Sequence, residues 1–477
     1  MSDERRPSVG IFGIGLAAYW PQFDGLCERL EAYQGTIESR LQGLDADVVS
    51  AGLVDSPQRA REAGDLLAAS RVDLLILYTA TYATSSQVLP TVQAAGAPVL
   101  ILNLQPTRSL DYEAMTTGEW LANCSACCVP EIAGAFARAR IPFRTLTGTL
   151  LDGDPAWDGL AEWVDATRAV RSLRRSRLGF LGHTYPGMLD MYSDFTQVHA
   201  QTGAHVEVLE IDDLVERVES ADAKAIARKG EEIRDVFDLA DAGNDPIADV
   251  ITPEIFDWSA RVAVGLDRLV DDFDLDGLTY YYRGVGGNIA ERVTAGLIVG
   301  NSLLTARGVP AAGEGDLKTG IAMLLLDRLG AGGSYTEFYA LDFDDEFILM
   351  GHDGPGHLAI AEGRPVARAL KLYHGKSGAG LSIEMKVQLG PVTILGLTQT
   401  ADGNLKLIAA EGESIPGPTF RIGNTNSRIK FASGPTAFFD AWCAVGPTHH
   451  VALGVGHQLA RIRKVADLLG LELAVIE

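Results

Sequence analysis

Short apolar runs alternate with amphipathic stretches along the first third of the chain. The runs Val9–Ile14, Val48–Ala51, Leu74–Tyr78, Val99–Leu102 and Phe143–Thr147 predict strands, and Phe23–Leu44 and Ser56–Ala69 predict helices between them. Apolar runs separated by helices of that size fold as βαβ units around a parallel sheet. The basic stretch Arg168–Arg177 then reads as a connector. A second alternating set follows: Leu178–Gly182, Val206–Ile211, the charged helix Asp222–Leu239, a helix near Ile255–Phe273, Leu278–Tyr282, and one long helix over Asn288–Arg307. Beyond residue 330 the pattern changes. Phe347–Met350, Leu381–Gln388, Val392–Gln399 and Leu405–Ala410 are strand-like, with turn signals at Gly390-Pro391 and Asp402-Gly403, which predicts an antiparallel sheet or barrel. A helix over Leu459–Leu469 and a strand over Leu471–Ile476 close the chain. The expected class is α/β: domains over 1–170 and 171–328, then a β-rich domain over 329–477.

Composition narrows the partners. At 477 residues the chain is too long for one domain, and 47% hydrophobic content fills globular cores. A net charge of −23 repels nucleic acid and anionic membranes, so neither is an expected partner. No stretch reaches the roughly 18 apolar residues of a spanning helix. The polar start Met1–Pro7 predicts no secretory signal, and five cysteines suit a reducing compartment; the expected location is the cytoplasm. Cys124, Cys127 and Cys128 crowd together, but no second C-x-x-C follows, so they read as small buried residues rather than a zinc site.

Gly13-Ile-Gly15-Leu-Ala-Ala18 imitates a dinucleotide fingerprint, but it is also what any strand-to-helix turn in such a domain looks like. More chemistry lies further on. In Gly313-Glu-Gly-Asp-Leu-Lys-Thr319 the acidic turn could simply start a helix, with Asp316 at its amino end. The glycines flanking Glu314 leave room for a ligand to approach the backbone. Gly332-Gly-Ser-Tyr-Thr-Glu337 sets a carboxylate among aromatic residues; alone it could be a surface charge on an edge strand. His352 in Met350-Gly-His-Asp-Gly-Pro-Gly-His357 and the pair His449-His450 after Gly446-Pro-Thr sit at loop positions, where functional groups gather. Each histidine alone reads as structural. Together, two glutamates and two or more loop histidines make the ligand set of a Mn²⁺-, Co²⁺- or Zn²⁺-like centre.

These four motifs, in this order, resemble those of the L-arabinose isomerase family, which is related to L-fucose isomerase. The likeness is clear over residues 310–357 and 441–450 and architectural before them. It implies two Rossmann-like domains (doubly wound parallel sheets) followed by the β-rich domain. It also implies a Mn²⁺ (or Co²⁺) site made by Glu314, Glu337, His352 and His450, with His449 a neighbour, although the sequence alone leaves open which of the two coordinates. Asp316 would stand behind the ligands and Lys318 would balance charge. The implied reaction is aldose–ketose isomerisation through a cis-enediol, with Glu314 and Glu337 as the acid/base pair. The implied partner is a small-molecule sugar such as L-arabinose, D-galactose or L-fucose; the lack of a Lys/Arg phosphate cradle disfavours a sugar phosphate. A homo-oligomer (trimer, tetramer or hexamer) with sites between subunits is expected.

The match departs from the family at sugar recognition. Cys127 stands where the family carries a histidine that reaches the sugar in a neighbouring site, and a thiol does not replace imidazole there. The turn Leu16–Gln22 lacks the family's polar pattern, although Trp20 and Gln22 could line a pocket. Met188 and His183 in Gly182–Met188 are substrate-contact candidates that packing explains equally well, and an aromatic among Tyr280–Tyr282 could pack against the sugar face. His357 is a neighbour of the ligands or a turn residue; His199, His205, His374 and His457 show no partner pattern. These departures keep open an epimerase, or an isomerase of an unusual sugar, with the same metal; the two α/β lobes separately leave open a non-catalytic sugar-binding protein.

Overall fold

The computed structural model describes residues 6–284, 286–373 and 378–477; the first five residues of the polar start, and His374, lie outside them. The chain divides into two compact units, Met1–Arg171 and Ser172–Glu477.

In the first unit, strands β1 (Ser8–Ile14), β2 (Asp47–Val54), β3 (Leu74–Tyr78), β4 (Val99–Gln105) and β5 (Phe143–Thr149) form a parallel sheet in the order β2-β1-β3-β4-β5. Every residue of β3 is buried, as a strand covered by helices on both faces requires. The expected connector at Arg168–Arg177 is instead the end of the helix Pro155–Arg174. Val164, Ala169, Val170 and Leu173 are buried, while Arg168 pairs with Asp165 at 2.7 Å and Arg171 with Asp73 at 2.6 Å. The charges that suggest a linker are the outer face of an amphipathic helix. The glycines of the fingerprint-like turn serve packing. A Cβ on Gly13 would strike the Gln34 side chain and one on Gly15 the Trp20 ring, and the next α-helix begins only at Leu26.

The second unit continues with β6 (Arg177–Gly182), β7 (His205–Leu209), β8 (Asp238–Leu239), β9 (Ala248–Asp249), β10 (Gly277–Tyr281) and β11 (Ala311–Ala312). Of these, β11-β10-β6-β7 make a second parallel sheet. The helix expected over Asn288–Arg307 is two, Ile289–Thr294 and Ile298–Ala306. The Trp258 indole N–H donates to the Arg292 carbonyl at 3.2 Å, and Gly296 N–H turns to Val293 at 3.0 Å. An indole from another helix thus takes the acceptor that would have continued the α-helical ladder.

Strands β12 (Ser334–Asp342), β13 (Phe347–His352), β14 (Val366–Leu370), β15 (Ser382–Glu384), β16 (Gly390–Gln399), β17 (Leu405–Ile415), β18 (Thr425–Lys430), β19 (Val451–Val455) and β20 (Glu472–Ile476) follow. The order β16-β19-β12-β13-β18-β17, closed by pairing of β16 with β17, is a six-stranded antiparallel barrel; β20 extends β17 in parallel. Its core holds Ile348, Ile394, Ile429, Phe438 and Trp442. β14 carries a small sheet with β8, β9 and β15. Asp402-Gly403 does turn the β16–β17 hairpin, with Gly403 at φ +82. Gly390-Pro391 instead opens β16, a strand start where proline is tolerated. Of Leu381–Gln388 only Ser382–Glu384 is strand. No helix among the described residues is long and apolar enough to cross a membrane.

Candidate metal centre

Glu314 follows β11 after a single intervening residue, at the carboxyl edge of the second parallel sheet, where open α/β sheets present ligand-binding loops. Its backbone has φ +60, and Gly315 has φ +69. The Glu314 carbonyl accepts from Tyr185 N–H at 2.8 Å, and Gly315 N–H donates to Tyr280 at 2.9 Å. A Cβ on Gly315 would lie 2.5 Å from the His183 carbonyl oxygen. Gly315 therefore lets the loop press against the backbone of residues 183 and 184. Asp316 caps the helix Leu317–Arg328, accepting from Thr319 N–H at 3.0 Å.

Three barrel segments face this loop. β12 is not an edge strand but lies between β13 and β19, and it carries Glu337. β13 ends in His352, and His449-His450 precede β19. His352 Nε2 is 3.8 Å from Glu314 Oε1, and His450 Nε2 is 3.9 Å from Glu314 Oε2. One ligand atom from each of Glu314, His352 and His450 falls within 4.8 Å of the others, and the same holds for Glu337, His449 and His450. The two sets share His450.

His450 is fully buried. Its Nδ1 lies 3.0 Å from Asp316 Oδ2 and 2.7 Å from the Tyr335 hydroxyl. Burial alone would push the Asp316 carboxyl up; the bond to His450, the His450 charge, Thr319 N–H and Lys318 hold it below its ordinary value. An ionised Asp316 accepts a hydrogen bond from Nδ1–H, and in the neutral ring this leaves the lone pair on Nε2. That Nε2 is buried and has no hydrogen-bond partner among the described residues. A bare imidazole nitrogen near the carboxylates of the Glu314 loop and of β12, beside a second imidazole, offers donors of the kind a divalent cation takes, so the donor set fits such an ion. At His352 the Gly354 N–H aims at Nδ1 at 3.0 Å, with Asp353 Oδ1 at 3.4 Å. Gly354 N–H donates to Nδ1, so the neutral ring keeps its proton on Nε2; binding a cation through Nε2 would move that proton to Nδ1 and replace the Gly354 bond with one to Asp353.

Glu337 pairs with His449, Nε2 to Oε2 at 2.6 Å. Burial raises the Glu337 carboxyl, but the His449 bond and the charges of His352, His449 and His450 bring it below its usual value. The same bond raises His449, against its burial. The His449 backbone N–H donates to Asp190 Oδ2 at 2.7 Å. Lys318 is buried and donates to the Tyr192 carbonyl at 2.9 Å. Burial lowers its ammonium, against the pull of Asp316 and Asp190.

Met188 is half-buried in the loop after β6, its N–H on Tyr185 at 3.4 Å. His183 and Tyr185 pack against Tyr281 at ring-centroid distances of 5.1 and 4.9 Å. His357 turns to Asp327 at 3.4 Å rather than to the cluster. Gln22 and Cys127 belong to the first unit. Gln22 is exposed and donates to the Ala18 carbonyl at 2.7 Å. Cys124 and Cys128 are buried, but Cys127 is exposed, contrary to the reading of all three as buried. Tyr335 and Asp353 were not singled out from sequence. Tyr335 shares a strand face with Glu337, two residues away, and that alternation was the available signal. An open hollow of about 440 Å³ lined by Arg234, Val250 and Phe256 shares no residue with the cluster.

No family model matches the chain. It is 24% identical to an L-arabinose isomerase from Nocardioides sp. over 84% of this chain and 80% of the relative. An L-arabinose isomerase from Acidothermus cellulolyticus is 25% identical over 80% and 76%. Among solved structures, a periplasmic solute-binding protein from Actinobacillus succinogenes with bound D-allose covers 65% of this chain and 78% of its own, with 14% identity and a TM-score of 0.17.

Proposed function

We propose that this chain, a divergent relative of the L-arabinose isomerases, interconverts a free aldose and its ketose with a divalent cation held by Glu314, His352, His450 and Glu337. The observation that carries the reading is the bare, buried Nε2 of His450 facing Glu314, with Asp316 holding the proton on the other nitrogen. Mn²⁺ is the expected cation and Co²⁺ its substitute, since carboxylate and imidazole together suit both. When bound, such an ion polarises the sugar carbonyl and fixes the two reacting oxygens.

The chain's own residues move the protons. Glu337, kept ionised by His449, and Glu314 form the acid/base pair. One takes the proton from the carbon next to the carbonyl and returns it to the former carbonyl carbon; the other carries a proton between the two oxygens, through a cis-enediol. Steps of this kind contribute ~10²–10⁴-fold each. His450 is the ligand of the histidine pair, because Asp316 fixes its tautomer, and His449 serves Glu337. The first substrates to try are L-arabinose, D-galactose and L-fucose. The protein is read as a homo-oligomer, which light scattering on the purified chain tests directly.

Cys127 favours a second reading, in which the same centre epimerises a sugar or isomerises a less common one. An exposed thiol offers a sugar hydroxyl a far weaker partner than an imidazole. Both readings meet the same experiment: strip the protein with EDTA, restore Mn²⁺, and analyse products from a panel of free aldoses. Ketose formation supports isomerisation, and an epimer supports the second reading. No turnover together with no bound Mn²⁺ removes both. Glu314→Gln and Glu337→Gln should each abolish turnover while the fold persists; near-normal activity in either takes that residue out of the pair.

A further inference from the structure

The geometry points to Tyr335 as a positioning residue of the proposed metal centre, one whose hydroxyl fixes the tautomer of His450 and ties it to the Glu314 loop. This rests on the metal-centre reading above. Tyr335 is completely buried at the start of β12. Its hydroxyl meets two groups: the Gly313 carbonyl at 3.1 Å and His450 Nδ1 at 2.7 Å. A carbonyl only accepts, so the single O–H proton goes to Gly313, and the hydroxyl oxygen can then only accept from Nδ1–H. Asp316, whose Oδ2 is 3.0 Å from the same nitrogen, makes the same demand. Two acceptors converge on one N–H, and the lone pair stays on Nε2.

The ring matters as well. Its centroid lies 4.5 Å from that of His352 and 4.5 Å from that of His450, while those two imidazoles are 5.0 Å apart. A Cβ on Gly313 would come within 3.0 Å of the Tyr335 ring, so the residue before Glu314 is trimmed to let the ring in. Tyr335 therefore touches His352, His450 and the backbone leading into Glu314, and stands two residues before Glu337 on the same strand face. One side chain thus packs against two of the proposed ligands and against the residue that precedes a third.

Tyr335→Phe keeps the ring and removes the hydroxyl. Titrated with Mn²⁺ alone by calorimetry, the metal-free variant should bind about 10–100-fold more weakly than the parent, the range for partners that orient metal-binding histidines. Nitrogen-15 spectra of the metal-free parent should show His450 protonated on Nδ1 and bare on Nε2. In the variant the Nδ1–H resonance should move and exchange faster. A merely structural role would lower the thermal midpoint without touching that resonance. A variant with unchanged His450 resonances and Mn²⁺ affinity within about twofold of the parent overturns the inference, because it falls well below the expected range. Should the variant not fold, a parent His450 protonated on Nε2 overturns it equally. A parent that binds no Mn²⁺ instead defeats the metal-centre reading, and the His450 tautomer still decides the role of Tyr335.

Discussion

Asp316 is a fully buried carboxylate whose oxygens are all spoken for: Oδ1 by Thr319 N–H, Oδ2 by the Thr319 hydroxyl and by His450 Nδ1. Asp316→Asn keeps the shape but replaces one acceptor with an N–H₂ donor. If that donor faces His450, the ring proton must move to Nε2, the nitrogen proposed to bind metal. Mn²⁺ affinity should fall at least ~10-fold, with about 1–3 kcal/mol of stability lost from the buried network. Calorimetry and thermal unfolding check the two separately, and unchanged affinity would remove Asp316 from the centre. The Glu337–His449 pair gives a pH signature in the metal-free protein. His449 is raised above its ordinary 6.5 by the Glu337 bond. Its contribution is complete below that value and is lost as pH rises through the folded-state value. Glu337 is lowered, so its contribution is present above its unfolded value and lost as pH falls through the folded one. The pair is therefore worth most between those limits, although with His449 41% exposed the gain stays within about 1 kcal/mol. Proton NMR should find His449 titrating high, and Glu337→Gln should return it toward 6.5.

The loop between β11 and the helix Leu317–Arg328 shows how an element aims a side chain. At Gly315 a Cβ would lie 2.5 Å from the His183 carbonyl oxygen and 2.7 Å from Thr184 Cα, both backbone atoms, at φ +69. Gly315→Ala should cost about 1–3 kcal/mol through the backbone conformation alone and should weaken Mn²⁺ binding by displacing Glu314. Gly330→Ala is the control: its φ is +79, but nothing lies within 4 Å of the added carbon, so about 1 kcal/mol is lost and binding is unchanged. If both variants bind Mn²⁺ like the parent, the clamped loop does not position Glu314. What the sequence reveals divides along the same line. Runs such as Leu74–Tyr78 are legible because a strand buried on both faces is apolar throughout. β18 (Thr-Asn-Ser-Arg-Ile-Lys) escapes the same reading, since few of its residues are apolar even where the barrel buries them. The break at Gly296 is set by Trp258 on a different helix, which no local pattern records. At the site, glutamates and histidines beside glycines announce themselves by residue type. Tyr335 does not, because its meaning depends on His450, 115 positions away.

On the scale of the whole chain, the four proposed ligands all fall in the unit Ser172–Glu477 and none in Met1–Arg171. They are gathered from the edge of a parallel sheet and from three separate segments of a closed barrel. An ion bound there would link the Glu314 loop, the paired strands β12 and β13, and the segment before β19, and binding the folded state alone adds RT ln(1 + [L]/Kd) to its stability. At a free Mn²⁺ concentration about 100-fold above Kd this is roughly 2.7 kcal/mol. The gain should be confined to the second unit. Hydrogen exchange followed by mass spectrometry, with and without Mn²⁺, should show new protection in the peptides around Glu314, β12, the end of β13 and the start of β19. The peptides of β1–β5 should exchange alike in both conditions. EDTA should reverse the protection and lower only the unfolding transition to which those second-unit peptides belong. Protection that spreads equally over β1–β5, or that is absent from the Glu314 loop, would mean that the cation is held elsewhere than by these four residues.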